Sequence, residues 1–392
     1  MTFFKKKLKD ISKLKIVLSV IFIILAGVFT TLVIVGYTIT DKLYDQKAGE
    51  RWDGSADSEA YQFSLFFDDR ANIDMMDILT FEHNVGSELD SVYGEDTDAS
   101  SDEGQEDASY YASAYMTEGK ITLTTENSKL EDVKTYGVSG AYDTFHPLEM
   151  ISGSFLTAED VHSDCIVVDE DAAWILFGST DIVGMEVDWD GKPLYIKGVY
   201  KEGDSKYEEA SKGYGSYANV AVSESGSVNS EGSSSLIYMS YNALKDSNPE
   251  NTVITSYEFV TVAPSEVFIS DLIAKAFTRY INHMELVKNS SRFSIENIFT
   301  ILKNLGIRVM HVDKIVYPYY ENIARAYENL LAVFLLIEII CLFIDIVLFV
   351  VFVVDRYHNR KLRWPVIKSK AEDLIEKLRQ FKKNEKSKWE HY

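Results

Sequence analysis

Residues 330–354 read LLAVFLLIEIICLFIDIVLFVVFVV. Every position is apolar except Glu338 and Asp345. A helix rises 1.5 Å per residue, so the run is about 37 Å long and can cross a hydrocarbon core of about 30 Å. Residues 16–40, IVLSVIFIILAGVFTTLVIVGYTIT, form a second run of the same length. The mean hydropathy of -0.09 hides this segregation. Two such runs predict a membrane protein and not a soluble cytoplasmic one. The first run follows a basic stretch, as a signal peptide would, but it is far longer than a 7–15-residue signal core and no A-x-A-like site follows it. It therefore reads as an uncleaved anchor.

Outward from the two runs, charge divides the chain into three parts. Residues 1–15 carry six lysines and one acid, and residues 355–392 carry twelve Lys or Arg and six acids. Residues 41–329 hold 21 basic and 52 acidic residues, a net of -31 within an overall -22. Basic residues mark the cytoplasmic side of membrane spans. The expected topology is a basic N-terminus (1–15), a first span (16–40), an outer domain (41–329), a second span (330–354) and a basic tail (355–392). Both termini are then cytoplasmic in a two-pass protein of a bacterial plasma membrane. A nucleic-acid partner is excluded, because the acidic outer domain would repel phosphate. Only two cysteines occur, Cys165 outside and Cys341 within the second run, so no disulfide framework is expected.

The middle region reads as α+β. Residues 41–93 mix polar and apolar positions around Leu65–Phe67 and Ile73–Leu79, fitting a helix or a strand edge. Residues 94–109, GEDTDASSDEGQEDAS, hold seven acids and no large apolar residue. Such a stretch cannot bury enough surface to order itself. A calcium loop starting at Asp96 would need glycine at its sixth position, where Ser101 stands. A second Ser/Gly-rich loop is expected over 203–235. Strands are predicted around Ile121–Thr124, Val133–Val138, Cys165–Val168, Ile237–Met239 and Tyr257–Val262. A hairpin is predicted from Met185–Trp189 through Asp190-Gly191 to Leu194–Tyr200, since Asp-Gly between β-prone runs favours a primed turn. Asp171–Phe177 suits a short helix stopped by Gly178, and a helical period resumes after Pro264.

An ordered set of motifs runs through this region. It comprises Gly153-Ser-Phe155, Asp160, Val167-Val168, Ala173, Leu176-Phe177-Gly178, Val183-Gly184-Met185, Gly191, Ile196 and Gly198-Val199, followed by Leu236–Met239. The set resembles the MacB-like periplasmic core domain of the ABC transporter permease (MacB/FtsX-type) family. The motif core covers about 65 residues. The resemblance implies an α+β extracytoplasmic core between two membrane helices. It also implies a noncatalytic subunit or accessory of an ABC-type transporter or mechanotransmission complex, with a separate ATPase or permease subunit as partner. The family pattern has four membrane helices where this sequence shows two. No Walker A sequence occurs, so the chain is not a fused ATPase. A second copy of the chain is a further candidate partner. The other readings are a stand-alone sensor or envelope scaffold and, weakest, an envelope enzyme.

No catalytic, cofactor or metal site is assigned. The seven histidines are scattered, none in H-E-x-x-H, and no Cys/His cluster has zinc spacing. Gly213–Ala218 fits G-x-G-x-x-A only formally, with no strand before it and no apolar helix after it.

The sharpest chemical signal is Glu338 with Asp345. Seven residues span about 700° of helix, so both project from one face, about 10 Å apart along the axis. Carboxyls inside a span turn toward protein or water, not lipid. They read either as a proton relay or, favoured here, as a helix-pairing polar seam with Thr30, Thr31 and Tyr37 or with a partner helix. Tyr317–Tyr320 suit the outer interface, and Arg325 suits pairing with Glu321 and Glu328 along a helix. Beyond the second span, Arg356, Arg360, Lys361 and Arg363 are expected to anchor to anionic lipid. The tail that follows reads as a basic amphipathic helix on the lipid surface or on a partner.

Overall fold

In the computed structural model, residues 2–52, 60–73, 75–93, 110–157, 164–201, 203, 235–247, 249, 252–304 and 315–389 are described. Side chains are described from Leu14, and beyond His358 only for Asp373 and Glu376. The predicted loop 94–109, residues 204–234 of the predicted loop 203–235 (with the Gly213–Ala218 stretch) and Asp160 thus lie outside the described residues, as do the side chains of Arg360, Lys361 and Arg363. The chain divides into two compact units, Met1–Tyr37 with Val333–Tyr392, and Thr38–Ala332.

The larger unit is built on one mixed sheet. Its strands are β1 (Ala60–Phe67), β2 (Tyr111–Thr124), β3 (Lys129–Gly140), β4 (Met150–Gly153), β5 (Cys165–Asp169), β6 (Glu186–Trp189), β7 (Lys192–Tyr200), β8 (Leu236–Ser240), β9 (Ser256–Val262) and β10 (Met284–Lys288). Their order is β10-β1-β9-β2-β3-β8-β5-β7-β4, with β6 bridging β2 and β7. Most pairs are antiparallel; β3 with β8 and β5 with β7 are parallel. The helices of seven residues or more are α1 (Thr2–Asp41), α2 (Met75–Tyr93), α3 (Glu170–Phe177), α4 (Tyr241–Ser247), α5 (Glu266–Ala276), α6 (Ile295–Lys303) and α7 (Tyr319–Trp389). This is the α+β architecture the sequence predicts.

Local chemistry sets the boundaries. Asp169 caps α3 by accepting from Ala172 N, and Gly178 closes it at φ 69°. Ser265 and Ser294 cap α5 and α6 in the same way. Asp190 and Gly191 turn β6 into β7 at φ 51° and 80°, as a primed turn requires. The stretch left open as helix or strand edge divides into an inner strand, β1, and a helix, α2. β1 pairs with β9 and β10 on its two sides and is buried over its last six residues. It is not an edge.

Three apolar cores follow. α2 and α5 cover the β1–β9 end through Phe81, Phe277 and Ile273. In the second core, α3 packs on β3, β5 and β7 through Leu176, and α4 packs on β2, β3 and β8 through Leu244. The third core joins Phe66, Met116, Tyr136, Tyr238 and Val260 of the sheet to Tyr317 and Tyr320, at the start of α7.

In the smaller unit, α1 and the later part of α7 pack side by side. Lys15 Nζ lies 2.6 Å from Asp355 Oδ2, and Phe22 meets Phe352 edge-on at 6.4 Å. Both helices are long and apolar enough to cross a membrane.

Candidate functional site

Among the described residues of the larger unit, most of the buried charged side chains join one network. The first group comes just after α1: Asp45 and Gln46 lie on a 3-10 turn, Tyr44–Gln46. The sheet gives Ser64 on β1, Glu258 on β9 and Glu285 on β10, and the turn after β10 gives Asn289 and Arg292. The start of α7 gives Glu321, Arg325 and Glu328, at the four- and seven-residue spacing that shares a helix face.

Arg292 is the hub. Its Nη1 and Nη2 donate to the two oxygens of Glu321 at 2.6 and 2.9 Å, and its Nε to Glu328 at 2.7 Å. Nη1 also reaches Gln46 Oε1 at 2.8 Å. Burial disfavours the charged guanidinium, but Glu321 and Glu328 outweigh that and raise its pKa above the ordinary arginine value. Arg325 donates to Glu321 at 2.6 Å and to Glu285 at 2.7 Å, with its guanidinium 3.8 Å from the Tyr317 ring centroid. The Tyr317 hydroxyl donates to Glu285.

The network continues through Gln46. Asn289 Nδ2 donates to Gln46 Oε1 at 2.7 Å, and the Ser64 hydroxyl bridges Asn289 and Glu258 at 3.1 and 2.6 Å. Glu258 meets Nε2 of His146, whose Nδ1 lies 2.8 Å from Asp45. The imidazole sits between Tyr320 and Tyr142, at 3.9 and 4.6 Å. Burial opposes its charge, but Glu258 and then Asp45 more than offset this and raise its pKa to about 9. His146 is therefore an imidazolium at neutral pH.

Two sequence expectations are corrected here. Tyr317 and Tyr320 are core residues, 1% and 2% exposed, and not an interfacial belt. Arg325 does pair with Glu321, but Glu328 pairs with Arg292 from the β10 turn. Helical spacing could show the first pair and not the second. His146 stood among scattered histidines, and nothing in its neighbouring sequence marks it as a hub.

The intramembrane candidates fall on one face, as their spacing requires. Glu338 and Asp345 share the less exposed side of α7 with Cys341, Leu348 and Phe352. Asp345 Oδ1 is buried without a hydrogen-bond partner. Thr30 and Thr31 do not answer it: their hydroxyls donate to Ala26 O and Gly27 O of their own helix, each at 2.8 Å. Tyr37 is 75% exposed. Arg356 is exposed. Among the described residues, no three His, Cys, Asp or Glu side chains converge as a metal site.

The glycines of the motif set have a physical role. Gly153 on β4 stands opposite Gly198 on β7. A Cβ on Gly153, at φ 71°, would lie 2.1 Å from Lys197 O; one on Gly198 would lie 2.6 Å from Ser154 O. The β4–β7 crossing tolerates no side chain there.

The domain is similar to two solved outer domains. One is the periplasmic region of MacB from Actinobacillus actinomycetemcomitans, at 15% identity and a TM-score of 0.37, over 60% of this chain and 92% of that one. The other is the extracellular domain of the noncanonic ABC-type transporter YknZ from Gram-positive bacteria, at 18% identity and a TM-score of 0.35, over 58% of this chain and all of that one. No protein-family model matches the chain, and no curated protein matches it in sequence.

Proposed function

We propose that this chain is a noncatalytic membrane subunit or accessory of an ABC-type transporter or mechanotransmission complex. Its outer domain takes up a partner or ligand and relays the event to the membrane helices. One observation carries the reading: a single buried network holds the segment after the first apolar run, the sheet, and the segment before the second run. Displacing the sheet must move both segments or break buried charge pairs, at about 3–5 kcal/mol for each pair broken. Most polar atoms of the network bond one another, which suits a rigid coupling more than a reaction. The ordered motifs from Gly153 to Met239 support the kind of complex.

In this reading the termini are cytoplasmic, Glu338 and Asp345 form a polar seam that takes up a partner helix, and Arg356, Arg360, Lys361 and Arg363 hold the tail to anionic lipid. Purification of the full chain in mild detergent, with identification of the accompanying chains, tests the complex. An ABC ATPase or a four-span permease in stoichiometric amount supports it. Recovery alone, or with a histidine kinase or a wall enzyme, overturns it in favour of a sensor or scaffold. A membrane-impermeant thiol reagent tests the topology: it should label an engineered Ser100→Cys in intact cells and spare a cysteine placed in the tail.

A further inference from the structure

α6 has no role in the network, yet the network fixes where it begins. Arg292, two residues before its cap Ser294, touches Gln46 at 2.8 Å and Glu328 at 2.7 Å. Gln46 lies five residues beyond the end of α1, and Glu328 lies two residues before the second apolar run. The N-terminus of α6 is thus held beside both places where the chain passes between the outer domain and a span.

The helix is more apolar than its packing needs. At 100° per residue, Ile301, Ile298, Leu302, Ile295 and Phe299 occupy an arc of about 160°. Ile298 is buried and Ile301 half-buried, whereas Ile295 is 78% exposed and Phe299 43% exposed. Glu296, Asn297, Thr300 and Lys303 fill the opposite side and are exposed. Lys303 Nζ lies 4.9 Å from the Phe299 ring centroid, at the border between the polar side and the apolar stripe. An ammonium at that border can reach a lipid phosphate while the ring enters the acyl region.

We infer that α6 is an interfacial helix lying on the lipid surface, with Ile295 and Phe299 inserted among the acyl chains and Lys303 at the phosphates. The occupant of the stripe is the bilayer and not a protein, because the helix starts where the chain enters the membrane. The inference rests on Leu330–Val354 crossing the bilayer and not on an ATPase partner.

The test uses the full chain in phosphatidylethanolamine–phosphatidylglycerol vesicles, with and without bromine on the acyl chains near the headgroup. Phe299→Trp and Thr300→Trp each add one indole to an exposed position, so the fold should persist; unchanged circular dichroism checks this. Bromolipid should abolish most of the emission added by Phe299→Trp and leave that added by Thr300→Trp nearly intact, with aqueous acrylamide giving the reverse order. Emission at 299 quenched by acrylamide and not by bromolipid would place the stripe in water and overturn the inference. Emission at 299 quenched by neither would place it against protein and overturn it equally. Both results would leave the complex of the proposed function untouched.

Discussion

Arg292 and Glu321 meet fork to fork, at 2.6 and 2.9 Å, with 3% and 0% of their side chains exposed. They come from the turn after β10 and from the first turn of α7. A bidentate guanidinium–carboxylate pair fixes direction as well as distance, so it sets how α7 leaves the sheet. A lysine could supply the charge but not the fork.

Arg292→Met should therefore destabilise the outer domain by about 3–5 kcal/mol, since it strands Glu321 and Glu328 inside the core. Chemical unfolding of the full chain in detergent measures this. Adding Glu321→Gln should recover part of the loss, because the two sites are directly coupled. A loss below about 1 kcal/mol, the range of exposed pairs, would show that the pair is solvated.

His146 makes stability depend on pH. Its folded pKa is about 9, above the ordinary 6.5, so the folded state holds the proton more tightly. The stabilisation is complete below pH 6.5, declines as pH rises, and is gone once pH passes about 9. The size is about 3 kcal/mol at 1.36 kcal/mol per unit. Melting temperatures across that window should fall for the parent chain and stay nearly level for His146→Gln. Parallel curves would remove His146 from the account.

Gly153→Ala should cost about 2 kcal/mol or more, of which about 1–2 comes from the left-handed backbone and the rest from the contact with Lys197 O. Gly191→Ala, also at positive φ but with nothing within 4 Å, is the control and should cost less. Limited proteolysis of the two variants ranks them; equal rates would mean that the β4–β7 crossing can open.

Glu338→Gln should keep helix pairing to within about 1 kcal/mol, the modest range of hydrogen bonds between membrane helices. Glu338→Leu should reduce copurification of any partner helix. Changing both Glu338 and Asp345 to Leu should weaken assembly further while easing insertion, as two costly carboxyls leave the bilayer. Intact assembly with complete loss of function in the Gln variant would mark a proton relay.

Patterns of neighbours in the chain determined much of this protein. The two apolar runs, the Asp190-Gly191 hairpin, the cap and stop of α3, and the shared face of Glu338 and Asp345 all follow from periods of two or 3.6 residues and from backbone preferences. These act within a few residues, so they are written locally. Only the tertiary structure decided that Tyr317 and Tyr320 are core residues, that Glu328 answers Arg292, and that His146 joins Asp45 to Glu258. Those partners lie 36 to 112 residues apart in the chain. Buried charge tolerates only a partner delivered to hydrogen-bonding distance, and it is the register of the sheet that delivers it.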